Sequence, residues 1–162
     1  MNLVAWNKLY KNNKRLDEIF IEKYQSDTRL YLKNSIELMV EIGEFVNETK
    51  VFKYWTTKKP KIEKMLEEYA DVITMILTFY GIHNLKIKED YPKIEETDIL
   101  KLIMELYKKA YDFYEYNDKY ILEELFYYTL YIGTLLEFKE SDIIDAIEKK
   151  QQIIEERLNS DY

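Results

Sequence analysis

The chain has 162 residues, the usual size of one folded domain, so we expect a single domain spanning residues 1–162. Hydrophobic residues make up 47% and charged residues 34%, a balance that excludes an intrinsically disordered chain. Three glycines and two prolines provide too few turns for an all-β fold, so we predict an all-α fold. The net charge of −7 argues against nucleic acid as a partner, because lysine and arginine must neutralise its phosphates.

The sequence also limits the expected compartment. It contains no cysteine, which excludes a disulfide framework and a zinc site built on thiolates. Its first residues lack a basic stretch followed by an apolar run, and no window approaches the ~20 apolar residues of a membrane span. We therefore expect a cytoplasmic protein with no membrane partner.

Apolar residues that recur about every 3.6 positions predict six helices, three of them in the N-terminal half. Helix 1 runs from about residue 3 to 24, and helix 2 runs from a cap at Asp27 or Thr28 to about residue 49. A short loop, residues 51–59, leads to helix 3, which is expected to begin after Pro60 and to end near Gly81.

The other three helices follow a polar connection through Pro92. Thr97 is expected to cap helix 4, which reaches about residue 116, and Ser141 to cap helix 6, which reaches about residue 158. Between them helix 5 spans about residues 118–138 and is apolar nearly all round, as expected for a helix buried on both sides. A dimer interface is one explanation of this burial, and the helical spacing of many of the sixteen tyrosines favours core or dimer packing.

Acidic residues interrupt the apolar pattern of helices 2 and 3. Glu37, Glu41 and Glu44 lie within an arc of about 60° on helix 2, in a segment whose other side chains are almost all apolar. On helix 3, Glu68 and Asp71 are one turn apart in a similarly apolar setting. The chain has 31 acidic residues, so about six acidic i,i+3 pairs are expected by chance, and most such pairs lie on solvated faces.

Two acidic pairs on adjacent helices are harder to explain by chance. If helices 2 and 3 pack antiparallel across the short loop, the four carboxylates converge, and their charge in an apolar setting requires protonation or a cation. Oxygen ligands without cysteine or histidine select hard cations, so we expect Mg²⁺, with Mn²⁺ as a substitute, between these helices. A di-iron site would need Glu-x-x-His pairs, and the single histidine, His83, is predicted to lie in a surface loop.

A basic loop separates the two acidic pairs. Six lysines lie between residues 50 and 64, and Glu63 is the one acid among them. No glycine-rich phosphate motif occurs in the chain, but a basic loop beside a bound cation would attract a polyphosphate. Trp55 in this loop could stack on a nucleobase. The alternative is a solvated lysine loop with a packing tryptophan.

The segment ELMVEIGEFVNETKVFKYW, residues 37–55, followed by LEEYADVI, residues 66–73, resembles the dimeric all-α dUTPases, relatives of MazG-type NTP pyrophosphatases. The E-x-x-E and E-x-x-D elements carry this likeness, together with the continuation N-E-x-x-x-F-K-Y-W. The resemblance implies a homodimeric helical bundle that binds Mg²⁺ and hydrolyses a nucleoside triphosphate to a monophosphate and pyrophosphate. The metal ligands and catalytic residues that it implies are Glu41, Glu44, Glu68 and Asp71.

The resemblance also implies a set of substrate-binding residues. Asn47, Lys53 and Trp55 follow the first acidic pair. The N-terminal family motif Q-x-x-L-D resembles residues 13–17, where Asn13 replaces the glutamine that contacts the base. The C-terminal motif K-x-x-x-N-x-x-R-Q-x-x-G-Y resembles residues 150–162, where Ile154, Leu158 and Asp161 replace the asparagine, glutamine and glycine. The residues of this motif that are kept are Lys150, Arg157 and Tyr162.

Three hypotheses follow for the function. The first is Mg²⁺-dependent hydrolysis of dUTP to dUMP and pyrophosphate, with Glu41 as the base and with Lys53, Lys150 and Arg157 neutralising the leaving pyrophosphate. The second keeps this chemistry but changes the substrate to dCTP or a modified nucleotide, because the base-contacting positions depart from the family. The third is a catalytically inactive helical interaction module.

Overall fold

The computed structural model describes residues 1–24, 28–89 and 93–160, and these residues form six helices and no strand. The all-α prediction is therefore confirmed. The helices are α1 (Leu3–Tyr24), α2 (Leu30–Thr49), α3 (Ile62–His83), α4 (Ile99–Tyr116), α5 (Lys119–Leu135) and α6 (Glu140–Asn159). None of them combines the length and the apolar character that crossing a bilayer requires.

Aspartates, not hydroxyl residues, cap two of the helices. The Asp98 side chain accepts a hydrogen bond from the Leu100 N–H at 3.0 Å at the start of α4, and the Asp118 side chain accepts one from the Tyr120 N–H at 2.7 Å at the start of α5. The prediction that Thr97 caps α4 is wrong by one residue, because the carboxylate next to it satisfies the free backbone N–H groups.

Two other predicted caps are also wrong. Ser141 lies inside the first turn of α6, which begins at Glu140. Thr28 precedes the start of α2, where Arg29 occupies the cap position without a side-chain cap. The alternative cap for α2, Asp27, lies outside the described residues.

Asparagines end two helices at positions where glycine was expected or no signal was recognised. Helix α3 continues through Gly81 to His83, and Asn84 then adopts a left-handed conformation with φ 51°. Asn117 does the same after α4, also with φ 51°. Asparagine tolerates this conformation because its short amide side chain can form hydrogen bonds locally. The prediction that His83 lies in a loop is therefore wrong, because His83 is the last residue of α3.

Helix α3 is the centre of the bundle, because it packs against α1, α2, α5 and α6. Helix α4 closes the remaining side by packing against α2 and α5. Large side chains of α3 such as Ile73, Ile76 and Phe79 are fully buried, and each contributes about 1.5–3 kcal/mol through its removal from water. The element that carries Glu68 and Asp71 is thus also the element most tightly held by the core.

Described residues of the connection between α3 and α4, on either side of positions 90–92, contact α5 and the core. The Tyr131 hydroxyl donates to the Glu96 carbonyl at 3.0 Å, and the Tyr127 hydroxyl donates to the Lys88 carbonyl at 3.2 Å. Ile87 of the same connection is buried against the core. Part of the apolar surface of α5 is therefore covered within one chain, and the burial of this part needs no second copy.

Candidate metal and nucleotide site

Helices α2 and α3 pack against each other across the short loop that joins them, and this brings acids from both helices together. Carboxylate oxygens of Glu41, Glu44 and Glu68 all lie within 4.8 Å of one another. Three of the four acids expected to hold a metal thus share one position among the described residues. We refer to these three residues and Asp71 as the carboxylate cluster.

Asp71 lies at the buried side of the carboxylate cluster and already has a partner. Its Oδ1 is 2.7 Å from the Nζ of Lys150, which projects from α6, and the Asp71 side chain is 11% exposed. Its negative charge still acts on the other acids, since it raises the pKa of both Glu41 and Glu68. Asp71 is therefore close to the three converging carboxylates but is engaged by an ammonium group from another helix.

Burial makes the charged form of the cluster unfavourable. Desolvation is the main reason that the pKa of Glu41 rises to about 7, followed by the charge of Asp71, while Lys150 acts in the opposite direction. Desolvation likewise raises the pKa of Glu68 and of Asp71. At neutral pH the cluster therefore holds more negative charge than its surroundings stabilise, and a cation would relieve this.

Glu41 provides a direct test of whether a cation fits. Its Oε2 is buried and has no hydrogen-bond partner among the described residues, although a buried polar atom without a partner is costly. The surrounding donors, Glu44 and Glu68, are oxygens only, which is the ligand chemistry of Mg²⁺ and Mn²⁺. The residues present thus fit a hard divalent cation.

An open cavity of about 380 Å³ borders these acids. Its volume lies in the range of about 300–1,000 Å³ that is typical of small-molecule sites. Asn47, which the sequence predicted to be on the substrate side, lines the cavity. The lining residues are Val40, Gly43, Glu44, Asn47, Glu48 and Glu68.

Lys53 and Trp55 lie in the loop between α2 and α3 and do not line this cavity. The Trp55 side chain is 64% exposed and contacts the rings of Phe52 and Tyr54, which belong to the same loop. The Nζ of Lys53 lies 5.6 Å from the centre of the Phe52 ring. Trp55 is thus not buried as a packing residue, and the loop presents aromatic and basic groups to solvent.

Asn13 is used inside the bundle. Its side-chain amide donates to Asp17 at 3.0 Å and to Thr78 at 3.1 Å, and the residue is only 1% exposed. Gln151 of α6 donates to its carbonyl oxygen at 3.5 Å. Asn13 therefore links α1 to α3 and α6. Its side-chain amide has two N–H groups, and Asp17 and Thr78 provide an acceptor for each of them.

The C-terminal substrate residues are spread along α6. Lys150 lies at the carboxylate cluster, whereas Arg157 is exposed seven residues later, about 10 Å along the helix axis. Tyr162 lies outside the described residues. Of the two predicted phosphate-binding cations of α6, the structure places one at the acids.

Sequence reasoning passed over two acids near the site. Glu37 was recognised as part of the acidic stripe but not as a site residue, and burial raises its pKa while Lys150 lowers it. Asp17 is held by Thr78 and Asn13, and burial raises its pKa to about 6. The i,i+4 spacing of Asn13 and Asp17 predicts that they share a face of α1. Their contact with Thr78 depends on how α1 packs against α3.

His83 lies far from the carboxylate cluster. It follows Asp71 by twelve residues on α3, which places it about 18 Å along the axis. Its ring packs at 5.7 Å from Phe113, and burial lowers its pKa. This position agrees with a site made of oxygen ligands alone.

A family model described as dUTPase matches residues 5–162 of the chain. The chain belongs to the all-α dUTPase family. It is therefore a dUTP diphosphatase-like hydrolase of nucleotide metabolism, in a family of divalent-metal-dependent enzymes that act on nucleotides. The likeness recognised in residues 13–17, 37–73 and 150–162 thus extends over nearly the whole chain. In a search of curated proteins, none matched.

Proposed function

We propose that this enzyme hydrolyses dUTP to dUMP and pyrophosphate with Mg²⁺ held by the carboxylate cluster, and that Mn²⁺ can replace Mg²⁺. One observation carries the proposal: oxygens of Glu41, Glu44 and Glu68 converge within 4.8 Å beside a cavity, in a chain that the dUTPase family model matches over residues 5–162. Asp71 completes the set of proposed ligands from the buried side.

The proposed chemistry divides between the cation and the side chains. A cation bound to the cluster would polarise the phosphoryl oxygens and lower the pKa of the attacking water. Glu41 is our proposed general base, because burial raises its pKa to about 7, which suits a group that must accept a proton near neutral pH. Lys53, Lys150 and Arg157 would offset the charge of the leaving pyrophosphate.

The nucleoside would be held by residues around the cavity and in the loop. Asn47 lines the cavity next to two proposed ligands and can offer an amide to the substrate. Trp55 has a largely exposed ring that can stack on a base. Asn13 and Tyr162 complete our proposed substrate set.

A panel of nucleotides tests this proposal. Purified protein is incubated with dUTP, dCTP, dTTP, dATP and dGTP in MgCl₂, in MnCl₂ and in EDTA, and pyrophosphate release is measured. We expect the highest kcat/KM for dUTP and no release in EDTA. Absence of release from every nucleotide would contradict the enzymatic proposal, and equal release in EDTA would contradict the cation.

A second candidate substrate, dCTP or a modified nucleotide, is supported by the surroundings of Asn13. Its amide is committed to Asp17 and Thr78, so it is less available to read a uracil edge. The same panel separates the two proposals by the ranking of kcat/KM. The third hypothesis, an inactive interaction module, predicts that Mg²⁺ leaves the melting temperature unchanged.

We further propose that residues 1–162 act as one domain in a cytoplasmic homodimer. Exposed apolar side chains on α2 and α4, two helices that pack together, support a contact between copies: Ile36, Val40, Leu100 and Met104 are 47–69% exposed. The mass in solution, measured by light scattering, should be twice that of the 19.8 kDa chain. A monomeric mass across the working concentration range would contradict the dimer.

A further inference from the structure

Lys150 is the cation that the protein itself brings to the carboxylate cluster. It projects from α6, which packs against α3, and its Nζ lies 2.7 Å from Asp71 Oδ1. Its side chain is 25% exposed, so this pair is much less open to solvent than the ion pair of Lys8 and Glu148, whose side chains are 76% and 38% exposed. Opposite charges attract each other more strongly where water screens them less, so the partly buried pair of Lys150 and Asp71 interacts more strongly than the exposed pair.

The charge of Lys150 acts on carboxylates of two helices. Besides Asp71, its charge lowers the pKa of Glu37 and Glu41 on α2 and of Glu67 on α3. Its neighbour Lys149 is exposed, and its charge contributes to lowering the pKa of Glu67. Lys150 is therefore the side chain of α6 whose positive charge offsets the negative charges of Asp71 and Glu41 in the carboxylate cluster.

The members of the carboxylate cluster differ in whether a cationic side chain contacts them. Carboxylate oxygens of Glu41, Glu44 and Glu68 lie within 4.8 Å of one another, and the Glu41 Oε2 has no partner in the described part of the chain. Asp71 has the Lys150 ammonium group 2.7 Å from its Oδ1, an ion-pair contact that leaves this buried oxygen without a well-directed hydrogen bond. A divalent cation that engages Asp71 must therefore displace Lys150 or share the carboxylate with it, since both are attracted to the same oxygens.

We propose that Lys150 is a built-in counter-ion that holds Asp71 in the cation-free protein and competes with a divalent cation for that carboxylate. Lys150 is then a positioning residue that sets the cation affinity of the cluster, a role separate from any contact with phosphate. This inference rests on the proposed cation site.

Thermal unfolding and calorimetry with MgCl₂ alone, without nucleotide, test the proposal. In EDTA we expect Lys150→Met to lower Tm by about 5 °C, because it leaves Asp71 buried without a partner. Saturating MgCl₂ should remove most of this deficit. Mg²⁺ should bind the variant about tenfold more tightly than the parent protein, because a competing positive charge is gone.

Two variants serve as controls. Lys149→Met removes the adjacent exposed lysine and should change neither Tm nor the Mg²⁺ affinity. If Lys150→Met does not fold, the double variant Lys150→Met, Asp71→Asn removes both partners and should fold, since the carboxylate of Asp71 is no longer left buried without its counter-ion. A double variant that is no more stable than Lys150→Met contradicts the counter-ion role.

The outcomes separate this inference from the proposed function. If the parent protein binds Mg²⁺ but Lys150→Met has the same Tm deficit with and without Mg²⁺ and an unchanged or weaker affinity, the counter-ion inference is overturned and the cation site stands. If Mg²⁺ neither binds the parent protein nor raises its Tm, the cation site fails, and the competition fails with it.

Discussion

The two sides of α3 meet opposite physical requirements. Tyr69 is fully buried, packs against Phe45 and Phe138, and donates from its hydroxyl to the Thr129 carbonyl at 2.8 Å. Its neighbour Glu68 points to the carboxylate cluster, where burial and nearby acids raise its pKa. One side of the helix is satisfied by packing and the other holds charge that calls for a ligand, so stability and proposed catalysis come from different residues of one element.

The largest expected effect is on the charged side. Glu68→Gln should lower kcat/KM with Mg²⁺ and dUTP at least about 100-fold, because one of three converging oxygens is replaced by an amide that ligates poorly. In EDTA its Tm should stay the same or rise, since like-charge repulsion is reduced. The exposed Glu63, in the first turn of α3, is the matched control, and Glu63→Gln should change neither quantity.

If Glu68→Gln retains full activity, the residue is not a metal ligand. If it instead lowers Tm strongly in EDTA, Glu68 belongs with the structural side of α3 and the contrast between the two sides fails.

The packed side should respond in stability. A Cβ added at Gly133 would lie 2.6 Å from the Tyr69 hydroxyl, so Gly133→Ala must displace a buried ring and should destabilise the protein by about 2–3 kcal/mol. Urea unfolding measures this change. Gly81→Ala is the control in the same bundle, because the nearest atom there is 3.8 Å away; it should stabilise by up to about 1 kcal/mol through helix propensity.

A Gly133→Ala variant as stable as the parent protein would show that α5 can move away from α3 at little cost.

Asp17, on α1, combines features of the two sides of α3. It is a largely buried acid, and its hydrogen-bond partners, Asn13 and Thr78, lie within the chain. Its pKa rises from 3.8 to about 6, mainly because burial disfavours the charged form. The folded state therefore binds the proton of Asp17 more tightly than the unfolded state does. The contribution of Asp17 to stability is thus fully present below pH ~4 and is lost as pH rises through about 6. The full shift corresponds to about 3 kcal/mol, and because the site is partly open we expect about 1–2 kcal/mol.

Asp17→Asn isolates this contribution. The free energy of unfolding of the variant, relative to the parent protein, should increase by about 1–2 kcal/mol between pH 4.5 and pH 7 in EDTA. A difference that does not change with pH would mean that the pKa of Asp17 is ordinary in the folded state.

The smallest effect is expected at the surface. Lys8 and Glu148 form an ion pair at 2.9 Å between α1 and α6, but both side chains are well exposed. Lys8→Met should change the free energy of unfolding by less than about 0.5 kcal/mol. A loss as large as that of Lys150→Met would show that exposure does not separate these two pairs.

The sequence alone determined the six helices, because the spacing of apolar residues is local and follows the helical period. It also determined the acidic stripe, since Glu41 and Glu44 share a face of any helix that contains them. The ends of the helices were less well determined. Several side chains near each end can cap it, and the aspartates at 98 and 118 formed the caps at two of them.

Only the tertiary structure decided how the elements combine. Lys150 meets Asp71 because α6 packs against α3, and no spacing in the sequence encodes that contact. Part of the apolar surface of α5 contacts the connection between α3 and α4, as at Tyr131 and Glu96. Residue 133 is a glycine in the space where the ring of Tyr69 leaves no room for a Cβ. Local periodicity fixes which residues share a face, whereas the partner of that face depends on the packing of distant segments.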